Sequence, residues 1–176
     1  MTIETDNEMN IKELAQAIQK ALLERGEMMA TAESLTGGLV ASHIVDIPGS
    51  SAVLAGGIVA YQNEVKELLL GVPHLVLEEK GAVSAETVKA MAEGARKKFG
   101  CQWAIATSGI AGPGGAEPGK PVGTVWMAVA NSLQNEAFCK IFAGNRNQVR
   151  EKTVYSVLSR LLFLLNNQKS TCTSEH

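Results

Sequence analysis

The sequence predicts a three-layer α/β/α sandwich around a mixed, mostly parallel sheet. Short apolar runs punctuated by glycine and proline alternate with segments whose apolar residues recur at helical spacing, the pattern of helices packed on both faces of a sheet. The last two apolar runs are joined by a hairpin-length connection, which makes them antiparallel neighbours. All of this is carried by 176 residues without an internal repeat or a linker, so residues 1–176 are expected to form one domain.

Ile11, Leu14, Ala15, Ile18 and Leu22 lie on one helical face, Asn10 and Glu13 form a capping pair, and Gly26 marks the stop. A strand over Met28 to Ala32 follows. Glu33-Ser34-Leu35-Thr36-Gly37-Gly38 then leads into Leu39 to Val45, taken as a helix over the alternative of a second strand, which places Ser34 at a strand-to-helix turn. Val53 to Tyr61 reads as a strand, and Asn63 as the cap of a helix carrying Val65, Leu68 and Leu69 to Gly71, with Lys66 in its first turn. Ser84 caps a helix over Ala85 to Phe99, and Trp103 to Ala106 is a buried strand. Residues 107–123 form a loop with six glycines and three prolines. Strands at Thr124 to Ala130 and Ala137 to Phe142 precede a long amphipathic helix from Arg146 to Asn166. The ends, 1–8 and 167–176, are expected to be flexible.

Composition excludes several classes. A net charge of −2 with no Lys/Arg stripe offers no footprint for nucleic acid or an anionic membrane. Cys101, Cys139 and Cys172 are odd in number and widely spaced, so neither a disulfide framework nor a zinc cage is written here. No other His/Cys/Asp/Glu cluster has metal-ligand spacing, and no metal or cofactor is expected. An acidic N-terminus and the lack of a run of roughly 20 apolar residues argue against a signal peptide or a membrane span, so a reduced, cytoplasmic chain is expected.

Ser34 is the sharpest chemical candidate, because a hydroxyl after a strand and before Gly37-Gly38 is exposed beside the unpaired amides of a helix start, donors suited to an oxyanion. The same spacing fits Ser34 or Thr36 as a plain helix cap. His43, His74 and His176 sit in no motif with a carboxylate, which disfavours a Ser-His-Asp triad and leaves lysine as the base. Lys66, against the positive end of a helix dipole, has a reason to be neutral, although a solvated helix lysine is the common alternative. Tyr61 can orient that lysine, stack on a planar heterocycle, or simply pack. Thr107, Ser108, Gly109 and Gly112 offer hydroxyls and open amides for a phosphate or ribose, and Arg146 can meet a phosphate bidentately or stand in solvent. Gly114 to Lys120 imitates a P-loop, but Pro121 replaces the Ser/Thr that would hold Mg²⁺, so that reading is rejected.

Ala32-Glu33-Ser34-Leu35-Thr36-Gly37-Gly38, Pro48-Gly49-Ser50-Ser51, Gly57 to Lys66, Gly81-Ala82-Val83-Ser84 and Thr107 to Gly115 occur in this order, and together they resemble the CinA C-terminal domain family. The resemblance runs from about residue 8 to 166, and the length resembles the stand-alone, nicotinamide-nucleotide amidase type. It implies hydrolysis of nicotinamide mononucleotide to nicotinate mononucleotide and ammonia, with Ser34 as nucleophile and Lys66 as base. Tyr61, Thr107 and Arg146 match positions associated with the site. Thr36, Gly37, Gly38, Ser108, Gly109 and Gly112 are expected to help bind substrate, and a homo-oligomer is expected. The alternative implied by family association is a non-catalytic nucleotide-sensing or protein-binding module linked to competence or DNA damage responses. Two positions depart from the family pattern: Leu35 stands where many active members have Cys, and Asn145 where an Asp usually precedes the arginine.

Overall fold

The computed structural model describes residues 9–168, so the expectation of flexible ends falls on residues outside this range, apart from 167 and 168. Helix α1 (Ile11–Arg25) starts on the expected capping box, with Asn10 accepting from the Glu13 amide, and stops at Gly26 in the left-handed region. Strand β1 (Met29–Glu33) leads through a turn to α2 (Leu39–Val45), and a 3₁₀ turn at Ser50–Ala52 leads to β2 (Leu54–Val59). After α3 (Asn63–Leu70) comes α4 (His74–Lys80), a helix the sequence pattern did not announce because seven residues after Pro73 carry too little periodicity. Helix α5 (Ala85–Phe99), strands β3 (Trp103–Gly109), β4 (Thr124–Ala130) and β5 (Asn135–Ile141), and helix α6 (Arg146–Asn167) complete the order.

The sheet runs β2-β1-β3-β4-β5. β1 pairs in parallel with β2 and β3, whereas β4 is antiparallel to both β3 and β5. Four strands therefore share one direction and β4 alone is reversed. Helices α1, α2 and α6 bury Leu14, Ile18, Val40, Ile44, Val157 and Leu161 on one face. On the other, α3, α4 and α5 bury Leu70, Leu77, Val88 and Met91 against an unusually small surface, Ala30, Ala32, Ala104, Ala106 and Ala128. That alanine floor lets α5 approach the sheet closely. Polar contacts lock the far end: the Trp103 indole donates to buried Glu27, which also pairs with Arg25, and Arg25 reaches the Leu165 carbonyl at the end of α6.

The helix that carries Lys66 makes one very close approach. Helix α3 packs on α5 so tightly that a Cβ on Gly94 would collide with the Leu70 carbonyl oxygen. Gly94→Ala gains helix propensity of about 1 kcal/mol, yet it must displace backbone, and overpacking of that kind costs about 1–3 kcal/mol or more. The expected net result is a melting temperature lower by roughly 2–8 °C in thermal unfolding followed by circular dichroism.

Among the described residues no helix is long and apolar enough to cross a membrane, and no group of three His, Cys, Asp or Glu side chains is placed to hold a metal ion.

Candidate functional site

The carboxyl ends of β1 and β3 open between α2 and α3, where ligands gather in open α/β sheets. There the strand ends diverge around a cavity of about 300 Å³, at the small end for a ligand site. Its lining includes Ser34, Tyr61, Asn63, Lys66, Ser108 and Arg146, with Gly109 to Gly112, Gly114 and Gly115 of the loop.

Ser34 lies one residue past β1, its amide held by the Thr107 carbonyl of β3 at 2.9 Å. It is 9% exposed, and its hydroxyl makes no hydrogen bond among the described residues, so it faces the cavity unengaged. The cap alternative is removed: the N-cap of α2 is Gly38, in the left-handed region, with no side-chain cap bond. Thr36 instead shares a 2.7 Å hydroxyl contact with Thr107, both fully buried. The expectation that the amides starting α2 are open to a ligand needs correction. The buried Glu33 carboxylate accepts from Gly38, Val40 and Ala41 at 2.9–3.0 Å and occupies that helix end itself. Among the described residues, only the N–H groups of Leu35 and Thr36 remain unbonded in this turn.

Lys66 is 1% exposed although it carries an amine. Burial pushes its pKa below the ordinary lysine range, and the nearby Glu64 charge only partly opposes this. Desolvation favours the neutral form, and the helix starts one residue earlier than expected: Gln62 is the N-cap, not Asn63, which leaves Lys66 as the fourth residue of α3, at the end of its first turn. The amine's one hydrogen bond is to the Tyr61 carbonyl at 3.1 Å. Lys66 and Ser34 line the same cavity without a hydrogen bond between them.

Tyr61 is 58% exposed, and its hydroxyl accepts from Arg146 at 2.8 Å. Arg146 also donates to the Gly112 carbonyl at 2.9 Å, so a cation at the cavity mouth is held by neutral groups. Asn145 caps α6 through a box with Gln148, which accounts for an asparagine at that position. Leu35, the other departure from the family pattern, is buried in the core beneath the turn.

The glycine-rich loop is more ordered than its composition predicts. β3 continues to Gly109, and Ile110 exchanges backbone bonds with Thr124 and Gly123. Gly112, at φ +85°, has no room for a Cβ, which would meet Val122 at 2.6 Å. The P-loop mimic is a tight reversal in which Glu117 and Lys120 bond each other's backbone, and Lys120 reaches the Lys80 carbonyl. Of the eleven candidate residues, Ser34, Tyr61, Lys66, Ser108, Gly109, Gly112 and Arg146 line the cavity. Thr36, Gly37, Gly38 and Thr107 lie outside the lining, in the turn and strand that support it. Ser108 spends its hydroxyl on the Ala82 carbonyl at 2.7 Å.

Two residues that hold the backbone of the Ser34 turn, Glu33 and Arg150, escaped sequence reasoning. Glu33 showed itself only as a member of the Ala32 to Gly38 motif at the end of a strand, with no role attached, and Arg150 only as the residue one turn after Arg146.

Fold and site together define a three-layer α/β/α protein with a serine on a strand-to-helix turn and a buried lysine in one cavity. The model of the CinA C-terminal domain matches residues 11–165, and the chain belongs to that family. A CinA-like protein of Anaeromyxobacter sp. (strain K) is 46% identical over 153 residues, covering 87% of this chain and 38% of that one. A CinA-like protein of Geotalea daltonii is 52% identical over 136 residues, 77% of this chain and 33% of that one. The chain thus spans little more than a third of the curated relatives it matches. Solved structures match end to end. The competence damage-inducible protein A of Klebsiella pneumoniae is 36% identical with a TM-score of 0.89, covering 92% of this chain and all of that one. The competence/damage inducible protein CihA of Agrobacterium tumefaciens is 38% identical with a TM-score of 0.86, covering 95% of this chain and all of that one.

Proposed function

We propose that this chain is an amidohydrolase that converts nicotinamide mononucleotide to nicotinate mononucleotide and ammonia. The observation that carries the reading is a fully buried lysine amine, without a carboxylate partner among the described residues, lining the same small cavity as an unengaged serine hydroxyl. Burying an amine is costly, and a lysine kept neutral in a cleft is suited to serve as a base near neutral pH.

In the proposed sequence, neutral Lys66 takes the Ser34 proton as Ser34 Oγ attacks the carboxamide carbon. The new C–O bond forms, the C–N bond breaks, and the Lys66 ammonium returns its proton to the departing ammonia. Water, deprotonated by the same amine, then hydrolyses the ester and frees Ser34. The bond to the Tyr61 carbonyl occupies one amine hydrogen and leaves the lone pair available. Serine and lysine need to meet only in the complex, since catalytic contacts tighten on binding. Arg146 and the open amides of the glycine loop suit the phosphate, and Tyr61 suits the ring or ribose. The reaction belongs in the cytoplasm, in keeping with Cys101 and Cys139 as free thiols.

The test is ammonia release from nicotinamide mononucleotide compared with free nicotinamide. The nucleotide is expected to turn over and the free amide to be a far poorer substrate. Equal use of both would point to another small-amide hydrolase, and binding without ammonia would point to a nucleotide sensor, a reading in keeping with the competence and damage in the names of solved relatives. Arg146→Ala is expected to raise KM for the nucleotide by about 10- to 100-fold with kcat changed only a few-fold, as for a lost charge-assisted phosphate contact.

A further inference from the structure

Arg150 does not line the cavity, yet its bonds all go to the turn that carries Ser34. From α6 its Nε donates to the Leu35 carbonyl at 3.0 Å and its Nη2 to the Thr36 carbonyl at 2.9 Å. Among the described residues it pairs with no carboxylate. It follows Arg146 by one helical turn, so one flank of α6 sends one arginine to the cavity mouth and the next to the turn.

The consequence lies in the peptide planes. In a trans peptide the carbonyl and the N–H point in opposite directions, and the only cis bond among the described residues is Gly112–Pro113. Fixing the Leu35 carbonyl on a guanidinium therefore turns the Thr36 N–H away from Arg150 and polarises it. The Ser34 carbonyl, bonded to the Gly37 amide at 3.1 Å, orients the Leu35 N–H in the same way. These two N–H groups directly follow the nucleophile, and they are the ones left unbonded. The neighbouring amides are all committed: Ser34 to Thr107, Gly37 to Ser34, Leu39 to Thr36, and Gly38, Val40 and Ala41 to Glu33.

We propose that Arg150 is a positioning residue: by holding the Leu35 carbonyl it aims the Thr36 N–H at the oxyanion formed when Ser34 attacks, and by holding the Thr36 carbonyl it steadies the Gly37 amide, whose bond to the Ser34 carbonyl orients the Leu35 N–H beside it. The inference rests on the amidase reading above. As the Ser34 Oγ–carbon bond forms, the carbonyl electron pair moves to oxygen, which accepts from the two N–H groups. No proton is transferred there, and the pair returns as the C–N bond breaks. Glu33 holds the far side of the same turn, so the donors are fixed before substrate arrives, which is what makes such donors effective.

The experiment measures kcat and KM separately for ammonia release by wild type, Ser34→Ala, Arg150→Lys and Arg150→Ala, with a thermal melt of each. Arg150→Lys, which keeps the charge but cannot grip both carbonyls, is expected to lose about 10²-fold in kcat with KM within about threefold, the loss typical of a disturbed oxyanion donor. Arg150→Ala is expected to lose at least as much and to regain part of it in added guanidinium, a rescue that general loss of stability would not show. If Arg150→Ala melts below the assay temperature, Arg150→Lys carries the test. Folded Arg150 variants with kcat within threefold of an active wild type would overturn the proposal and leave the amidase reading standing, as would a loss confined to KM. A wild type that releases no ammonia removes both.

Discussion

Ser34→Ala is expected to lower ammonia release from nicotinamide mononucleotide by roughly 10⁴-fold or more, the scale seen when a serine nucleophile is removed from an enzyme that has no substitute for it. Stability should hardly change. The hydroxyl bonds to nothing among the described residues, so its removal orphans no partner and opens no apolar void. The turn persists because it is held from elsewhere: by the Thr107 carbonyl on the Ser34 amide, by Glu33 on the start of α2, and by Arg150 on the two following carbonyls. Binding should survive as well, since Arg146, Tyr61 and the glycine loop are untouched. A loss of kcat with unchanged nucleotide affinity and an unchanged melt, read by steady-state ammonia release, calorimetric titration and circular dichroism, is the expected combination.

Lys66→Met is expected to abolish turnover to a comparable degree while raising stability. Met fills nearly the same volume without a polar atom, so the packing of α3 on α5 is retained and the cost of burying an amine disappears. The sign with pH follows from the lowered pKa. Below the folded-state pKa the amine is protonated in both folded and unfolded chains, and the burial penalty is present in full. As pH rises from the folded-state pKa towards that of free lysine, about 10.4, the unfolded chain binds the extra proton and the native state gains. The stability advantage of Lys66→Met is therefore largest below the folded-state pKa and shrinks as pH rises from there towards that of free lysine, as urea melts across pH would record. In the wild type, kcat/KM should rise with pH as Lys66 loses its proton, with an apparent pKa below that of free lysine. A Lys66→Met protein less stable than wild type at pH 7, or a wild-type rate that falls as pH rises through this range, would contradict this role.

Much of the frame was legible because it rests on local chemistry. The Asn10–Glu13 box, glycines at helix ends, and the step from strand to Gly-Gly each act within a few residues, and each lies where expected. Lys66 was legible as a residue but not for its cause. Spacing places it early in α3, whereas its burial is a tertiary property: α3 is packed closely on α5, and Lys66 lines one cavity with Ala82 and Val83, which are distant in sequence. The α2 amides were misjudged for a similar reason: an open helix start is the local expectation, and only the three-dimensional turn brings the Glu33 carboxylate onto it. Arg150 was invisible because its acceptors are backbone carbonyls 114 and 115 positions away, which impose no residue type on the turn. Fine control of the nucleophile is thus carried by main-chain geometry that a sequence does not spell out.

Attack by Ser34 on the carboxamide requires one particular seat for the nucleotide. A crystal structure of Ser34→Ala with nicotinamide mononucleotide is predicted to place the carboxamide carbon about 3–3.5 Å from where the Ser34 oxygen would be, a reactive separation. The Lys66 amine should be within reach of that point, and the phosphate should lie on Arg146 and the glycine loop. A nucleotide bound elsewhere, or seated in this cavity with its carboxamide turned away from residue 34 and its phosphate beside Lys66, would contradict the central claim.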